Sequence, residues 1–245
     1  MCFDHLGQGR WDETIGKAMR TSKKLDSLKV LLDCGLPVGD ILDVGVMYGT
    51  PVLMEIFPDR EHHLFEPIQD YFSEIERNYS NIPHSLVHAA ISDKIGNVHV
   101  HSVKKFGNER ISHSWISDVP TNSSRVVPEM TLDHYTSSSK YTAPLLLKID
   151  VDGASVPAAI LRGARNTLTK CSVVVIEMTL ERWLERAELL NIAGFDLWDI
   201  TSLCYYGNCL WQFDAVFVSR AYKSTYPELS PMRQLPFDMK RWQEG

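Results

Sequence analysis

Apolar and polar positions along this chain alternate between two rhythms. From residue 11 to residue 34, Ile15, Ala18, Met19, Leu25, Leu28, Val30, Leu31 and Leu32 fall at mostly helical spacing until Gly35 and Pro37 stop the pattern. This predicts an N-terminal helical cap, residues 1–38, over whatever follows. Short apolar runs then alternate with helical stretches: a strand over 41–45, a helix from about 51, a strand over 62–66, a helix over 68–79 and a strand over 86–91. Such alternation predicts right-handed βαβ units and a parallel sheet.

Residues 96–127 break the rhythm with two β-rich pieces, Val98 to Val103 and Ile111 to Ile116, around Lys104-Lys105-Phe106-Gly107-Asn108. They predict a β-hairpin inserted into the α/β pattern, at an edge where a substrate pocket is commonly built. The rhythm resumes with strands over 145–150, 172–178 and 196–201, helices over 155–169 and 180–193, and a last strand over 212–220. Because the Ser202 to Asn208 connection has no helical pattern, the last strand is expected antiparallel to its neighbour. The main domain is thus 39–220, and 221–245, with Pro227, Pro231 and Pro236, reads as a surface-packed C-terminal extension.

The first βα junction carries the strongest signal. Ile41-Leu42-Asp43-Val44-Gly45-Val46-Met47-Tyr48-Gly49-Thr50 is an apolar run breaking into a D-x-G-x-x-x-G loop before a helix. A side chain at Gly45 or Gly49 would hold a nucleotide cofactor off the backbone, and glycine tolerates a tight turn. Four later apolar runs end in a carboxylate or lead into one, at Glu66, Asp93, Asp150 and Glu177. In an open parallel sheet the ligand sits outside the carboxyl ends of the strands, so these acids are expected to converge on one crevice.

Composition narrows the partners. With 245 residues, 44% of them hydrophobic, the chain can bury a full core without disulfides or metal. A net charge of −6 offers no basic footprint for a phosphate backbone, which disfavours nucleic-acid substrates and leaves small molecules or neutral glycans. No signal-like segment and no run of about 18 apolar residues occurs, so a soluble cytoplasmic protein without a membrane span is expected. Five cysteines without a C-x-x-C read as free thiols. His99 and His101 would share a face of a strand, but with no Cys or carboxylate partner nearby they read as a solvated hairpin face, and no metal ligand is assigned.

Together the motifs resemble the FkbM-type S-adenosylmethionine-dependent methyltransferases. The likeness rests on Leu42-Asp43-Val44-Gly45 with Gly49, Phe65-Glu66-Pro67, Ala90-Ile91-Ser92-Asp93, Thr131-Leu132-Asp133, Leu147-Lys148-Ile149-Asp150-Val151-Asp152-Gly153-Ala154 and Ile176-Glu177, in the family's order. It implies a class I methyltransferase fold: a Rossmann-like, mostly parallel seven-stranded α/β sheet with a C-terminal antiparallel strand. It also implies S-adenosylmethionine as cofactor and a hydroxyl of a sugar, glycan or glycosylated natural product as acceptor. It leaves a divalent metal requirement and the oligomeric state unassigned.

Asp43 and the Gly45 backbone would then hold the cofactor's amino-acid end. Glu66, 23 residues after Asp43, would accept the ribose hydroxyls. Asp93 would face the adenine amino group, with Ile91 and Ser92 beside the ring. A general base near the acceptor oxygen is worth roughly 10²- to 10⁴-fold, and Asp150 is the first candidate. Asp152 and His113 are second candidates, and Glu177 could orient the acceptor. Asp152 is equally readable as an acid favoured by the following helix dipole, and His134 as a solvated loop residue. Trp115, Tyr205 and Tyr206 are candidates to stack on a sugar ring.

Two positions depart from the family pattern. Val46-Met47 stands where the family commonly has Ala-Asn, and Ser155 where it often has a glutamate. These departures keep open a non-catalytic methyltransferase-like binding module. A nicotinamide-dependent oxidoreductase would also explain a glycine loop, but G-x-G-x-x-G is absent and the expected last strand is antiparallel.

Overall fold

The computed structural model describes residues 23–103, 113–230 and 234–241. Residues 11–22 of the helix expected over 11–34, the Lys104 to Asn108 turn and the outer parts of both terminal segments lie outside the described residues. In chain order the elements are α1 (Lys24–Asp33), β1 (Ile41–Val44), α2 (Pro51–Ile56), β2 (His62–Phe65), α3 (Phe72–Asn78), β3 (His84–Val87), β4 (Ala90–Ile91), β5 (Gly96–Val103), β6 (His113–Ser117) and β7 (Arg125–Met130). Then come α4 (Leu132–Ser138), β8 (Leu145–Ile149), α5 (Val156–Arg162), α6 (Arg165–Leu168), β9 (Cys171–Thr179), α7 (Trp183–Ile192), β10 (Phe195–Tyr206), β11 (Cys209–Ser219) and α8 (Arg220–Thr225).

Seven strands form the main sheet in the order β3-β2-β1-β8-β9-β11-β10, and β11 runs antiparallel to both its neighbours. This is the expected class I methyltransferase architecture. The central strands are buried on both faces, which is why they read as continuous apolar runs rather than as an alternation. On β8, Leu145, Leu147 and Ile149 join one core cluster with Leu42, Val44 and Ile160, while Leu146 joins the other with Ile41, Leu28 and Leu53. Lys148 falls on the face of Leu146, opposite Asp43 of β1 in the parallel register.

Among the strands, three expectations need correction. The strand over 86–91 divides: β3 stays in the main sheet, whereas β4 pairs with β7. The inserted hairpin is in fact part of a second, four-stranded sheet, β4-β7-β5-β6. Its third long strand, β7, was hidden by Pro128, a residue that argues against an interior strand because it brings no N–H to the ladder. Lastly, the Ser202 to Asn208 connection is no loop. β10 and β11 pair as far as Tyr206 and Cys209, and a bulge after Thr201, with Ser202 at φ 54°, breaks the alternation that would have marked the strand.

The predicted helix over 155–169 breaks at Gly163, where α5 ends. A Cβ at Gly163 would lie 2.2 Å from the Ser92 carbonyl oxygen, so the helix can approach the end of β4 only through glycine. Thr131-Leu132-Asp133 has a structural task. Thr131 caps α4 by accepting the His134 amide, Leu132 is buried in the core, and Asp133 accepts the Asn166 and Thr167 amides at the start of α6. No helix among the described residues is long and apolar enough to cross a membrane.

Candidate active site

Main-chain bonds carry the parallel ladder past the strand ends. The Gly45 amide donates to the Phe65 carbonyl, the Glu66 amide to Val87 and the Asp150 amide to Val44. The turns after β1, β2 and β8 are therefore fixed to one another. They bound a cavity of about 450 Å³ at the carboxyl edge of the sheet, within the range of small-molecule and cofactor sites. One part of its wall is Val44 to Met47, Gly49, Phe65 to Pro67, Tyr71 and Ala89 to Ile91; the other is Ser114 to Ile116, Asp150 to Asp152, Glu177 and Gln212.

Gly45 sits at φ 83°, and a Cβ there would lie 2.0 Å from the Asp150 carbonyl oxygen. The glycine is thus required first by the contact between two protein loops, a requirement more basic than the clearance for a cofactor read from the motif. Glu66 is buried, and its two carboxylate oxygens accept the Met47 and Ile68 amides, each at 2.9 Å. Burial pushes its pKa up to about 7 despite those two amides and nearby Lys148.

Asp43 is fully buried and lies beneath the cavity wall, not in it. Its carboxylate is 3.0 Å from Lys148 Nζ. No role for Lys148 follows from the motif that contains it, although a lone charge inside the run Leu145 to Ile149 is itself a signal. Burial disfavours the ammonium, but Asp43 and then Asp150 outweigh it and hold the pKa above its ordinary value.

Asp150 is half-exposed on the cavity. Asp152, also in the wall, accepts the Ser114 amide at 2.9 Å and so ties the inserted sheet to the turn after β8. Glu177 accepts from Gln212 Nε2 at 2.8 Å; burial, with Asp150, Asp214 and Asp152 adding to it, pushes its pKa up to about 7. Beneath this rim the buried Arg186 guanidinium donates to the Glu177 and Ala154 carbonyls, joining the turns after β9 and β8. Trp115 is 40% exposed in the wall and stacks on His101, with ring centroids 5.4 Å apart and planes at 10°.

Not every expected residue reaches the cavity. Ile91 lines it, but Ser92 is buried behind it and Asp93 is exposed outside it. His113 lies on β6 beside Ser114, with its side chain outside the description. Tyr205 and Tyr206 stand exposed on the β10–β11 ribbon, outside the wall, so they are not the pocket aromatics expected of a loop. His134 is exposed on α4. His99 and His101 bond Ser124 and Thr121, and among the described residues no cluster of three His, Cys, Asp or Glu could hold a metal.

The methyltransferase FkbM domain matches residues 33–197, more than half of the chain. The chain belongs to the FkbM methyltransferase family. It is an S-adenosylmethionine-dependent methyltransferase. None of the curated proteins matches it. Among solved structures, similar folds include the magnesium protoporphyrin IX methyltransferase of Synechocystis PCC 6803 with bound S-adenosylmethionine (10% identity, 79% of this chain and 76% of that one, TM-score 0.43). Others are the precorrin-6y C5,15-methyltransferase of Geobacter metallireducens GS-15 (11%, 84% and 94%, 0.43) and an rRNA methylase of Streptococcus thermophilus (9%, 78% and 94%, 0.42).

In this FkbM chain the Val46-Met47 departure has a local cost. Met47 adopts φ 56°, a left-handed conformation that asparagine takes far more readily than methionine. The Glu66 carboxylate on the Met47 amide holds it there. Ser155 precedes α5 without capping it, and Pro157 falls in the first turn, where a missing amide is tolerated.

Proposed function

We propose that the chain transfers a methyl group from S-adenosylmethionine to a hydroxyl of a sugar, glycan or glycosylated natural product. The observation that carries this reading is the composition of the inner wall, where an exposed aromatic face, Trp115, shares a cavity with Asp150, Asp152, Glu177 and Gln212. An apolar sugar face stacks on an aromatic while carboxylates and an amide take its hydroxyls. The buried Glu66 and the Gly45 turn suit the ribose and the amino-acid end of the donor, and the apolar strip of Phe65 and Ile91 suits the adenine.

When bound, S-adenosylmethionine would supply a methyl on a sulfonium for transfer to the acceptor oxygen, the carbon–sulfur pair leaving with sulfur. In our reading Asp150 takes the hydroxyl proton as the oxygen attacks, and the inner wall holds that oxygen in line with the methyl carbon. Asp152 is engaged by Ser114, so it serves as a tether for the Trp115 strand. Glu177 is the alternative proton acceptor, since a carboxyl group near 7 matches a neutral reaction better than an ordinary acid. His113 stays a candidate through its place beside Ser114.

The test is incubation with methyl-labelled S-adenosylmethionine and panels of glycosides, oligonucleotides and peptides, followed by mass analysis. Label on a sugar oxygen is expected. Label confined to peptide or nucleic acid, or to nothing, contradicts the proposal.

A further inference from the structure

Lys148 is a buried ammonium on a central strand of the parallel sheet, only 3% exposed and reaching the cavity wall, a position that carries a heavy desolvation cost. Leu146 of β8 and Ile41 of β1 flank it on the same face with apolar side chains, and buried His62 of β2 shares that layer. An apolar pair at 43 and 148 would serve packing as well, because buried ion pairs are often replaceable by hydrophobic residues without loss of stability. Only a long cationic side chain, however, reaches past the end of the strand. Nζ donates to the Gly45 carbonyl at 2.8 Å and lies 3.5 Å from Asp150 Oδ2, with Asp43 Oδ1 at 3.0 Å behind it.

We infer that Lys148 is the positioning residue of this site, pinning the glycine turn and the Asp150 carboxylate to each other across the β1–β8 seam. The pin complements the main-chain contact on the other side, where the Asp150 carbonyl fills the space a Gly45 side chain would need. With one Asp150 oxygen turned to Lys148, the other is left for the acceptor. This last part rests on the proposed role of Asp150, whereas the hold on the cofactor turn does not.

The experiment titrates S-adenosylmethionine calorimetrically into wild type, Lys148→Met and the double variant Asp43→Leu/Lys148→Met, with Tm measured for each. Lys148→Met alone strands a buried Asp43 carboxylate, so both Tm and affinity fall. The double variant regains most of the lost Tm yet binds at least about tenfold more weakly than wild type, because Asp43 has no surface on the cavity whereas Lys148 reaches its wall and holds the Gly45 turn. Wild-type affinity in the folded double variant overturns the inference. If that variant does not fold, Asp43→Asn/Lys148→Gln replaces it, since glutamine is uncharged and one atom too short to reach Gly45; wild-type affinity there is equally decisive. Asp150→Asn turnover is scored separately, so failure of the base assignment and failure of the pin are distinguishable.

Discussion

Around Glu66 and Gly45 the cavity wall is main chain held by main chain, with a buried carboxylate between two amides and a glycine against a carbonyl. Around Trp115 and Asp152 it is side chain resting on a second sheet, joined to the first at the cavity by the Asp152 bond to Ser114. The first arrangement suits a ligand that never changes, while the second can be rebuilt residue by residue without disturbing the parallel sheet. A site divided this way keeps its donor and varies its acceptor.

Replacing Gly45 by alanine strikes the rigid half hardest. A Cβ 2.0 Å from the Asp150 carbonyl oxygen forces the two turns apart, so a loss of roughly 3 kcal/mol or more in stability is expected, together with loss of cofactor binding. Denaturant titration beside calorimetry checks both, and an unchanged midpoint would show that the contact is dispensable. On the other side, Asp150→Asn is expected to lower kcat by about 10² or more while leaving cofactor affinity within a few-fold. Near-wild-type turnover there, with a large loss in Glu177→Gln or His113→Ala, would move the proton transfer to that residue.

The same division explains what the sequence allowed to be read. Strand positions, the glycine turn and the place of Glu66 and Asp150 at the cavity wall were legible because a buried parallel strand, a positive-φ turn and a strand-end acid each leave a local mark. β7 was masked by Pro128, and the β10–β11 ribbon by a bulge at Ser202, both breaks in local pattern made good by long-range pairing. Asp43 and Asp93 were expected at the ligand, and neither lines the cavity: Asp43 is buried beneath its wall and Asp93 is exposed outside it. A motif names a residue without saying whether its side chain points at the ligand or at a neighbour such as Lys148.

Two smaller effects sharpen the contrast. Trp115→Ala is expected to raise the acceptor KM roughly tenfold, as the loss of one stacking face would, and to leave cofactor affinity unchanged. A matching drop in cofactor affinity would mean that the two halves are not independent. Met47→Asn relieves a left-handed methionine that is 40% exposed, so a gain of about 0.5–1 kcal/mol is expected, read as a rise in Tm of about 2 °C.

Whether buried Glu66 holds the donor is decided by calorimetric titration of S-adenosylmethionine between pH 6 and pH 8 in wild type and Glu66→Gln. The raised Glu66 pKa, about 7 against an ordinary 4.5, means the free protein carries a proton there below pH 7 that an acceptor of ribose hydroxyls must release. Affinity should therefore rise with pH across this window in wild type. In Glu66→Gln it should be about tenfold or more weaker, because an amide NH2 would face the Met47 or Ile68 amide, and the part of the pH dependence due to Glu66 should vanish. Equal affinity and an identical pH profile in the two proteins would contradict the account.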